Sequence, residues 1–100
     1  MIWKPLGLKI DQGNEVSKDP ANILTQSELL ICRLIILGYT AKEIARFASV
    51  APRTVEAHIQ NSRRKLRARN SVHLAAILLV SGAIKVTIEE LTKTYLDDLA

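Results

Sequence analysis

The sequence predicts an all-α protein, and three observations lead to this prediction. First, aliphatic residues dominate an apolar content of 48%, whereas only 4% of the residues are aromatic; aliphatic side chains suit helices that pack ridge into groove. Second, 100 residues can enclose one compact core but leave no room for a second full domain. Third, the chain contains three Thr-x-x-Glu pairs, a spacing typical of helix N-termini: Thr25/Glu28, Thr40/Glu43 and Thr87/Glu90.

Residues 1–24 predict an N-terminal arm. Pro and Gly recur at positions 5, 7, 13 and 20, and neither a helical nor a strand period is sustained. We expect this arm to be flexible and partly disordered. The domain proper is expected to span residues 25–81, followed by an amphipathic helix within residues 82–100.

The first two Thr/Glu pairs predict two successive helices. The first runs from Gln26 to Leu37, is apolar on more than one face and stops at Gly38, which suits a left-handed cap. The second runs from Ala41 to about Ala48 and is expected to turn positions 44, 45 and 48 inward. Pro52 fits the first turn of a third helix, because its missing N–H has no intrahelical partner there.

The third helix should extend to about Arg67, and its residues divide into two faces when placed at about 100° per residue. The inward face carries small and apolar residues: Val55, Ile59, Ser62 and Leu66. The outward face carries mainly arginines and other polar residues: Arg53, Glu56, Ala57, Gln60, Arg64 and Arg67, with Arg63 at its edge. A capped helix, a tight turn and a helix with a basic outer face make a helix-turn-helix, whose second helix enters the major groove.

The chemistry of the outward face fits double-stranded DNA. Arg and Gln make paired hydrogen bonds to purine edges, Glu accepts from the cytosine amino group, and Arg neutralises phosphates. The outward residues from Arg53 to Gln60 are expected to contact bases, and the arginines from Arg63 to Arg67 to contact phosphates. Residues 25–81 hold nine basic and three acidic side chains, hence a charge of +6. A merely solvated charged face is the alternative for this helix taken alone.

Two further helices complete the prediction. Ser71 is expected to cap a fourth helix, which carries apolar residues at positions 74, 75, 77 and 78 and ends before Gly82. The third Thr/Glu pair is expected to begin a final acidic helix. That helix has apolar residues on one face: Ile88, Leu91, Tyr95 and Leu99.

Several residues occur in the order and spacing of a known family. They are Leu24-Thr25, Glu28, Leu37-Gly38-Tyr39-Thr40, Lys42-Glu43-Ile44-Ala45, Arg53-Thr54-Val55, His58, Asn61 and Lys65-Leu66. Over nearly all of residues 24–79 the chain resembles the LuxR-type (NarL/FixJ/GerE-like) helix-turn-helix domain of bacterial transcriptional regulators. The resemblance implies a compact four-helix domain that binds inverted-repeat promoter sites, usually as a dimer formed through the fourth helix.

The resemblance also implies roles for individual residues. It places Glu56, Ala57 and Gln60 where the family reads bases. It places Thr54, His58 and Lys65 where the family holds the phosphate backbone or braces the helix. Contacts of a homodimer are expected in and just after the fourth helix, at Leu74, Ile77, Leu78 and Ser81.

The chain departs from the family pattern near the ends of helices. Ala51 replaces the Ser that usually caps the third helix, and Ala48 replaces a larger aliphatic residue. Arg67 replaces a Gly, and Ser71 replaces an Arg. Since 24 residues are too few for a receiver or ligand-binding domain, we expect action like that of the stand-alone regulator GerE.

Two other functions fit parts of the sequence. A module similar to region 4 of sigma factors shares the helix-turn-helix and a basic run like that at residues 63–67, and would add RNA polymerase as a partner. Obligate dimerisation would favour the LuxR type over it. A protein-interaction module would instead use the acidic final helix to bind and titrate another regulator. The simpler interpretation is that this helix extends the dimer interface or covers the core.

The remaining features argue against other classes of protein. Cys32 is the single cysteine, cannot form an internal disulfide and is expected to be buried. No apolar run is long enough to span a bilayer and no secretory signal is present, so we expect a cytoplasmic protein without membrane contact. With two His, no Gly-rich phosphate loop and no cluster of metal ligands, we expect neither enzymatic activity nor a cofactor or metal.

Overall fold

The computed structural model describes the backbone of residues 19–99 and the side chains of residues 19–93. Within these ranges the chain forms six helices and no strand: α1 (Pro20–Ile23), α2 (Gln26–Ile36), α3 (Ala41–Ala48), α4 (Pro52–Leu66), α5 (Ser71–Val80) and α6 (Ile88–Leu99). The all-α prediction is confirmed, and α2 to α5 are the four predicted helices of the domain. Most of the predicted arm lies outside the described residues.

The described fold begins with the short helix α1. The side chain of Asp19 accepts a hydrogen bond from the Ala21 N–H at 3.0 Å, and Pro20 takes the first helical position, where an N–H is not needed. Pro20 is buried, and Leu24 just after the helix is 5% exposed. The last residues of the predicted arm are therefore part of the packed structure, against α4.

Capping boxes begin three of the helices, as the sequence predicted. The Thr25 N–H donates to Glu28 Oε1 at 2.8 Å, and the Glu28 N–H donates to Thr25 Oγ1 at 3.1 Å. The other two Thr/Glu pairs make the same two bonds, at 2.9 and 3.1 Å in each case. Each box satisfies two backbone N–H groups that have no partner inside the helix.

Left-handed residues end four of the helices, and the last of them is Gly82 after α5, with φ 81°. Gly38 follows α2 with φ 102°, where the absence of a Cβ makes this conformation easy. Ser49 after α3 has φ 58° and Arg67 after α4 has φ 55°, although both carry side chains. A non-glycine residue in this region costs about 1–2 kcal/mol. Helix α4 thus ends at a strained residue, at the position where the sequence departs from the expected Gly.

The core consists of two hydrophobic clusters that meet under α4. The first joins α1, α2, α5 and the segment after α5: Leu24, Cys32, Leu74, Leu78 and Ile84. The second joins α3 and α4: Ile44, Ala45 and Val55. Ile59 of α4 packs against both clusters. Ala48 is exposed rather than inward as predicted, because the last turn of α3 extends past the core.

A buried carboxylate connects the start of α2 to the end of α4. Glu28 is only 4% exposed, and its two carboxylate oxygens accept from Lys65 Nζ at 2.8 and 3.1 Å. Burial alone would raise the pKa of Glu28, but hydrogen bonds from Lys65 and from the Thr25 backbone outweigh it and lower the pKa. Glu28 is therefore ionised at neutral pH and holds Lys65 against the domain.

Helix α5 begins one residue away from the predicted cap. The N-cap is Asn70, in an extended conformation with φ −160°, and its side chain accepts from the His73 N–H at 2.8 Å. Ser71 is the first helical residue, so the prediction that Ser71 caps this helix is wrong. Asn and Ser are both favourable caps, and the backbone conformation at Asn70 decides between them.

An ion pair joins helix α6 to α2. Glu90 Oε2 accepts from Arg33 of α2 at 2.6 Å, and the pKa of Glu90 is lowered by hydrogen bonds from the Thr87 backbone and from Arg33. Ile88 is 66% exposed and Leu91 38% exposed. At these two positions the apolar side chains of the helix are exposed to solvent and do not cover the core. The side chains of Tyr95 and Leu99 lie outside the described residues.

Candidate nucleic-acid interface

A short turn joins α3 to α4 and fixes their packing. Ser49 takes the left-handed conformation, and the Val50 N–H donates to the Ala45 carbonyl at 3.0 Å. Pro52 then begins α4, but Ala51 at the N-cap provides no side-chain hydrogen bond. Ile44 and Ala45 of α3 pack against Val55 of α4, all at most 2% exposed. The two helices and their tight turn form the predicted helix-turn-helix.

The outer face of α4 agrees with the helical projection. Val55 and Ser62 are fully buried at 0% exposure, and Ile59 and Leu66 are partly buried. Eight predicted DNA-binding residues in or next to α4 are exposed: Arg53, Thr54, Glu56, Ala57, Gln60, Arg64, Lys65 and Arg67. The sequence therefore predicted the inner and outer faces of this helix correctly. Contact of these residues with DNA stays a prediction.

The N-terminal half of α4 presents groups that can recognise bases. Glu56 makes no side-chain hydrogen bond within the described part of the chain, so its carboxylate is free to accept one. Gln60 accepts from Arg63 Nη1 at 3.3 Å through its amide oxygen, which leaves the amide NH₂ free to donate. Ala57 is exposed in the same half, and its small side chain allows the helix to approach another surface closely. These groups match the donors and acceptors of base edges in the major groove.

The C-terminal half of α4 is strongly basic. Arg64 Nη2 donates to Asn61 Oδ1 at 2.7 Å, and Arg63 Nη2 donates to the Arg69 carbonyl oxygen at 2.6 Å. Within the described residues neither arginine pairs with a carboxylate, since the ion pairs there are Arg33–Glu90 and Lys65–Glu28. Their charges are therefore available to an external anion.

The sequence comparisons identify the family. The family model described as "Bacterial regulatory proteins, luxR family" matches residues 22–78, more than half of the chain and nearly all of α1 to α5. The chain belongs to the luxR family. The match starts inside α1, in agreement with the packing of that helix on the domain, and ends before α6. It confirms the resemblance inferred from the sequence and makes this a LuxR-type DNA-binding domain of transcriptional regulators.

Curated relatives of this LuxR-family chain are bacterial regulators. The chain is similar to the nitrate/nitrite response regulator protein NarP of Escherichia coli, with 34% identity over 62% of the chain. It is 40% identical to the oxygen regulatory protein NreC of Staphylococcus carnosus over 63% of the chain. It is 29% identical to the transcriptional regulatory protein FixJ of Rhizobium meliloti over 73% of the chain. The aligned regions cover 29%, 29% and 35% of NarP, NreC and FixJ, respectively, and no solved structure gives a significant match.

Lys65 differs from the other basic residues of the LuxR-family helix. The resemblance allowed it either to hold the phosphate backbone or to brace the helix, and its ammonium is bound to buried Glu28. This ion pair supports the bracing alternative, and contact of the exposed Lys65 with DNA stays a prediction. His58 lies half-buried on the flank of α4, and its carbonyl accepts from the Ser62 hydroxyl at 2.8 Å.

Two of the predicted dimer contacts, Leu74 and Leu78, belong to the core of their own chain. Leu74 is 4% exposed and Leu78 0% exposed, and both pack in the core of their own chain. A side chain buried in this way cannot reach a second chain unless the domain opens. Ile77 is half-buried and Ser81 exposed, so these two predictions remain open.

The exposed apolar side chains of α5 lie on the opposite side of the helix. Val72 is 80% exposed, Leu79 39% and Val80 88%, and Ala76 between them is also exposed. At about 100° per residue these four fall within about 100° of one another, facing away from Leu74 and Leu78. We call this surface the α5 stripe. Because α5 is apolar on all sides, the sequence could not distinguish the stripe from the core face.

An exposed aromatic side chain on α3 also escaped the sequence analysis. Phe47 is 64% exposed and contacts the Tyr39 ring edge to face, with centroids 5.6 Å apart. Its position next to the predicted inward Ala48 offered no signal, since a helical period places Phe47 near the boundary between faces.

The described residues can also be compared with the requirements of a metal site, a membrane span and a reactive thiol. They contain no group of three or more His, Cys, Asp or Glu side chains that could hold a metal ion. None of the helices within that part of the chain is both long and apolar enough to cross a membrane. Cys32 is buried as predicted, and burial raises the pKa of its thiol. The comparisons point to regulators and lend no support to the sigma-like or titrating-module alternatives.

Proposed function

We propose that the domain regulates transcription by inserting α4 into the major groove of promoter DNA. Arg53, Glu56, Ala57 and Gln60 contact base edges, while Thr54 and Arg64 hold the flanking phosphates. The observation that carries this proposal is the division of α4 into a packed face, with Val55 and Ser62 at 0% exposure, and an exposed basic face. Such a helix, held by a second helix across a tight turn, has the form that fits the groove.

The electrostatics of the domain support the same function. Each phosphate that a protein neutralises releases counterions, so affinity for DNA depends steeply on salt. Arg53, Arg64 and Arg67 are exposed and unpaired within the described residues, whereas the carboxylates of Glu28 and Glu90 are already bound to Lys65 and Arg33. The exposed surface next to α4 is therefore more positive than the overall charge of +4 indicates.

Selection of binding sites tests the proposal. The 100-residue chain is incubated with random duplex DNA at near-physiological salt, and the bound sequences are recovered and sequenced. Arg64→Ala serves as the test variant, and Lys85→Ala, which removes one exposed charge after α5, serves as the control. The wild type and Lys85→Ala should enrich the same inverted repeat, and Arg64→Ala should bind it more weakly. Absence of any enriched sequence in the wild type would refute the proposal.

We further propose that two copies bind each site through the α5 stripe. Isolated apolar side chains are common on surfaces, but Val72, Leu79 and Val80 form a contiguous group on one helix. An inverted repeat needs two copies related by a two-fold axis, and a self-complementary apolar patch suits such an interface. The relatives NarP and FixJ, whose names describe a response regulator and a transcriptional regulator, support a role at promoters.

The stoichiometry of the complex tests the dimer. Val72→Lys with Val80→Lys places two charges on the stripe, at side chains that are too exposed to disturb the core. Gln26→Lys with Ser27→Lys is the matched control, since it adds the same charge to exposed positions of α2. Sedimentation should give two chains per enriched duplex for the wild type and the control, and one chain for the stripe variant. Two chains for all three proteins would exclude the stripe as the interface.

A further inference from the structure

A basic hollow lies where α4 ends and the connection to α5 begins. Its walls are Gln60, Arg63, Arg64, Arg67, Ala68 and Arg69, around a space of about 370 Å³. Four of these six residues are arginines and none is acidic. We call it the arginine hollow. It adjoins the outer face of α4 through Gln60 and Arg64, and it includes Arg69, which the sequence analysis did not assign to DNA.

The charges around the hollow have no internal counterpart. The ion pairs among the described residues, Lys65–Glu28 and Arg33–Glu90, involve none of its four arginines. Like charges that are held near one another repel, and an anion in the hollow would relieve that repulsion. Arg63 contributes charge to the hollow, although its Nε is buried and has no hydrogen-bond partner among the described residues.

The backbone beneath Arg69 is fixed on both sides. The Arg69 carbonyl accepts from Arg63 Nη2 at 2.6 Å, and the Arg69 N–H donates to His73 Nδ1 at 3.0 Å. The same Arg63 guanidinium donates to Gln60 at 3.3 Å. Arg63 therefore holds the α4–α5 connection against α4 and fixes the position of the Arg69 backbone. The residue Arg63 is itself half-buried. Its part is to position Arg69.

We propose that the arginine hollow holds one phosphate group of the DNA backbone, bound jointly by the guanidinium groups of Arg67 and Arg69. This inference rests on the proposed DNA-binding function and adds a specific contact to it. The forked guanidinium matches phosphate oxygens, and two forks can share one phosphate. Arg67 and Arg69 lie at and just after the C-terminal end of α4, beyond the base-reading residue Gln60 at the other edge of the hollow, where a helix in the groove meets the flanking backbone.

A bound DNA phosphate explains the hollow better than a free phosphate ion does. Sites for free phosphate commonly use backbone N–H groups at a helix N-terminus, whereas the hollow lies at a C-terminus, where carbonyl groups and the negative end of the dipole face out. The arginines must overcome that unfavourable field by side-chain charge alone. A phosphate already brought there by the rest of the interface needs less affinity from the hollow itself.

The salt dependence of DNA binding tests the proposal. Affinity for the duplex enriched by the wild type is measured by fluorescence anisotropy from low to physiological salt, for Arg67→Gln, Arg69→Gln and the double variant. Because log K changes with log salt by about 0.9 per phosphate contact, the double variant should lose about 0.9 in slope. If Arg67 and Arg69 contacted two separate phosphates, the double variant would lose about 1.8 in slope. If they contacted none, its slope would equal that of the control variant Lys85→Ala. Either result overturns the shared site.

A second arm distinguishes the two sources of phosphate. Melting temperatures of wild type and double variant are compared in inorganic phosphate and in chloride at equal ionic strength. In one outcome, inorganic phosphate raises the melting temperature of the wild type only, while the salt slope of DNA binding is the same for both proteins. That result would make the hollow a site for free anions and would overturn the proposal. If the wild type binds no duplex at all, the proposed DNA-binding function is refuted. If the wild type binds DNA and the double variant has the same salt slope, only the proposed phosphate site in the hollow is refuted.

The positioning role of Arg63 has its own test. Arg63→Lys keeps the charge but cannot bind Gln60 and the Arg69 carbonyl with a planar fork. We expect it to lower the salt slope in the wild-type background and to have no further effect in the Arg69→Gln background. An equal effect in both backgrounds would show that Arg63 contacts DNA independently of Arg69.

Discussion

The left-handed residue that ends α4 gives a prediction that separates stability from DNA binding. Arg67 has φ 55° and ψ 39°, and its N–H reaches the carbonyls of Arg63 and Arg64. The Ala68 N–H then donates to the Arg63 carbonyl at 2.8 Å, which completes the helix end. We expect Arg67→Gly to keep this geometry and to stabilise the domain relative to Arg67→Ala, since both variants lose the charge and only glycine relieves the strain.

The magnitude follows from two opposing effects. Relief of the left-handed conformation is worth about 1–2 kcal/mol, and the extra freedom of glycine in the unfolded chain takes back about 0.5–1 kcal/mol. The net advantage of Gly over Ala is therefore about 0.5–1 kcal/mol. In a domain of this size, that difference corresponds to about 2–8 °C in melting temperature.

Thermal and urea unfolding of the two Arg67 variants measure this advantage, and anisotropy measures their DNA affinity. The two variants should bind the enriched duplex equally, because each lacks the same guanidinium. As a control for the removal of a side chain, Ser27→Gly and Ser27→Ala change an exposed residue within the first turn of α2, and there Ala should be the more stable of the two. An Arg67→Gly protein no more stable than Arg67→Ala would refute the assignment of strain to this position.

Three further predictions concern other parts of the domain. Ala51→Ser supplies the missing N-cap of α4 in a suitable extended conformation, and should stabilise the domain by about 0.5–1 kcal/mol in urea unfolding; no gain would mean that the Ser hydroxyl does not reach the helix. The folded pKa of Glu28 is lowered, so its contribution is present above its ordinary value of 4.5 and lost as pH falls through the folded pKa. Wild type should therefore exceed Glu28→Gln in stability at pH 7, and the gap should narrow as the pH falls below 4.5; a constant gap would contradict the ion pair. Gln60→Ala should change the preference among DNA sites, while Arg64→Ala should weaken binding to all sites and lower the salt slope; equal effects on preference would contradict this division.

Local signals predicted most of the helices and both faces of α4. A capping box involves residues three positions apart, and the helical period relates residues within a few turns, so both are visible in the sequence. The division of α4 was predictable because its inward residues are apolar or small and its outward residues are mostly charged. The same reasoning placed Cys32 in the core.

Contacts between distant residues were not predictable in this way. Glu28 and Lys65 are 37 positions apart, and nothing near either residue indicates that it pairs with the other. The packed face of α5 was also hidden, because the helix is apolar all round and only its neighbours decide that Leu74 and Leu78 turn inward. The prediction of Leu74 and Leu78 as dimer contacts has this origin, and the exposed α5 stripe is the interface proposed in their place.

Helix α4 is positioned by its neighbours more than by its own ends. Its N-cap residue makes no side-chain hydrogen bond and its C-cap residue is a strained Arg, so Pro52 at the first helical position is the remaining local boundary signal. Instead α4 packs against α1, α2, α3 and α5, and Lys65 and Arg63 fasten its last turns to Glu28 and to the Arg69 carbonyl. Tertiary contacts of this kind can tolerate a strained helix end, which frees position 67 to carry a charge instead of a glycine. In the proposed complex, the contact between Arg67 and a phosphate offsets the free energy that the strained conformation costs.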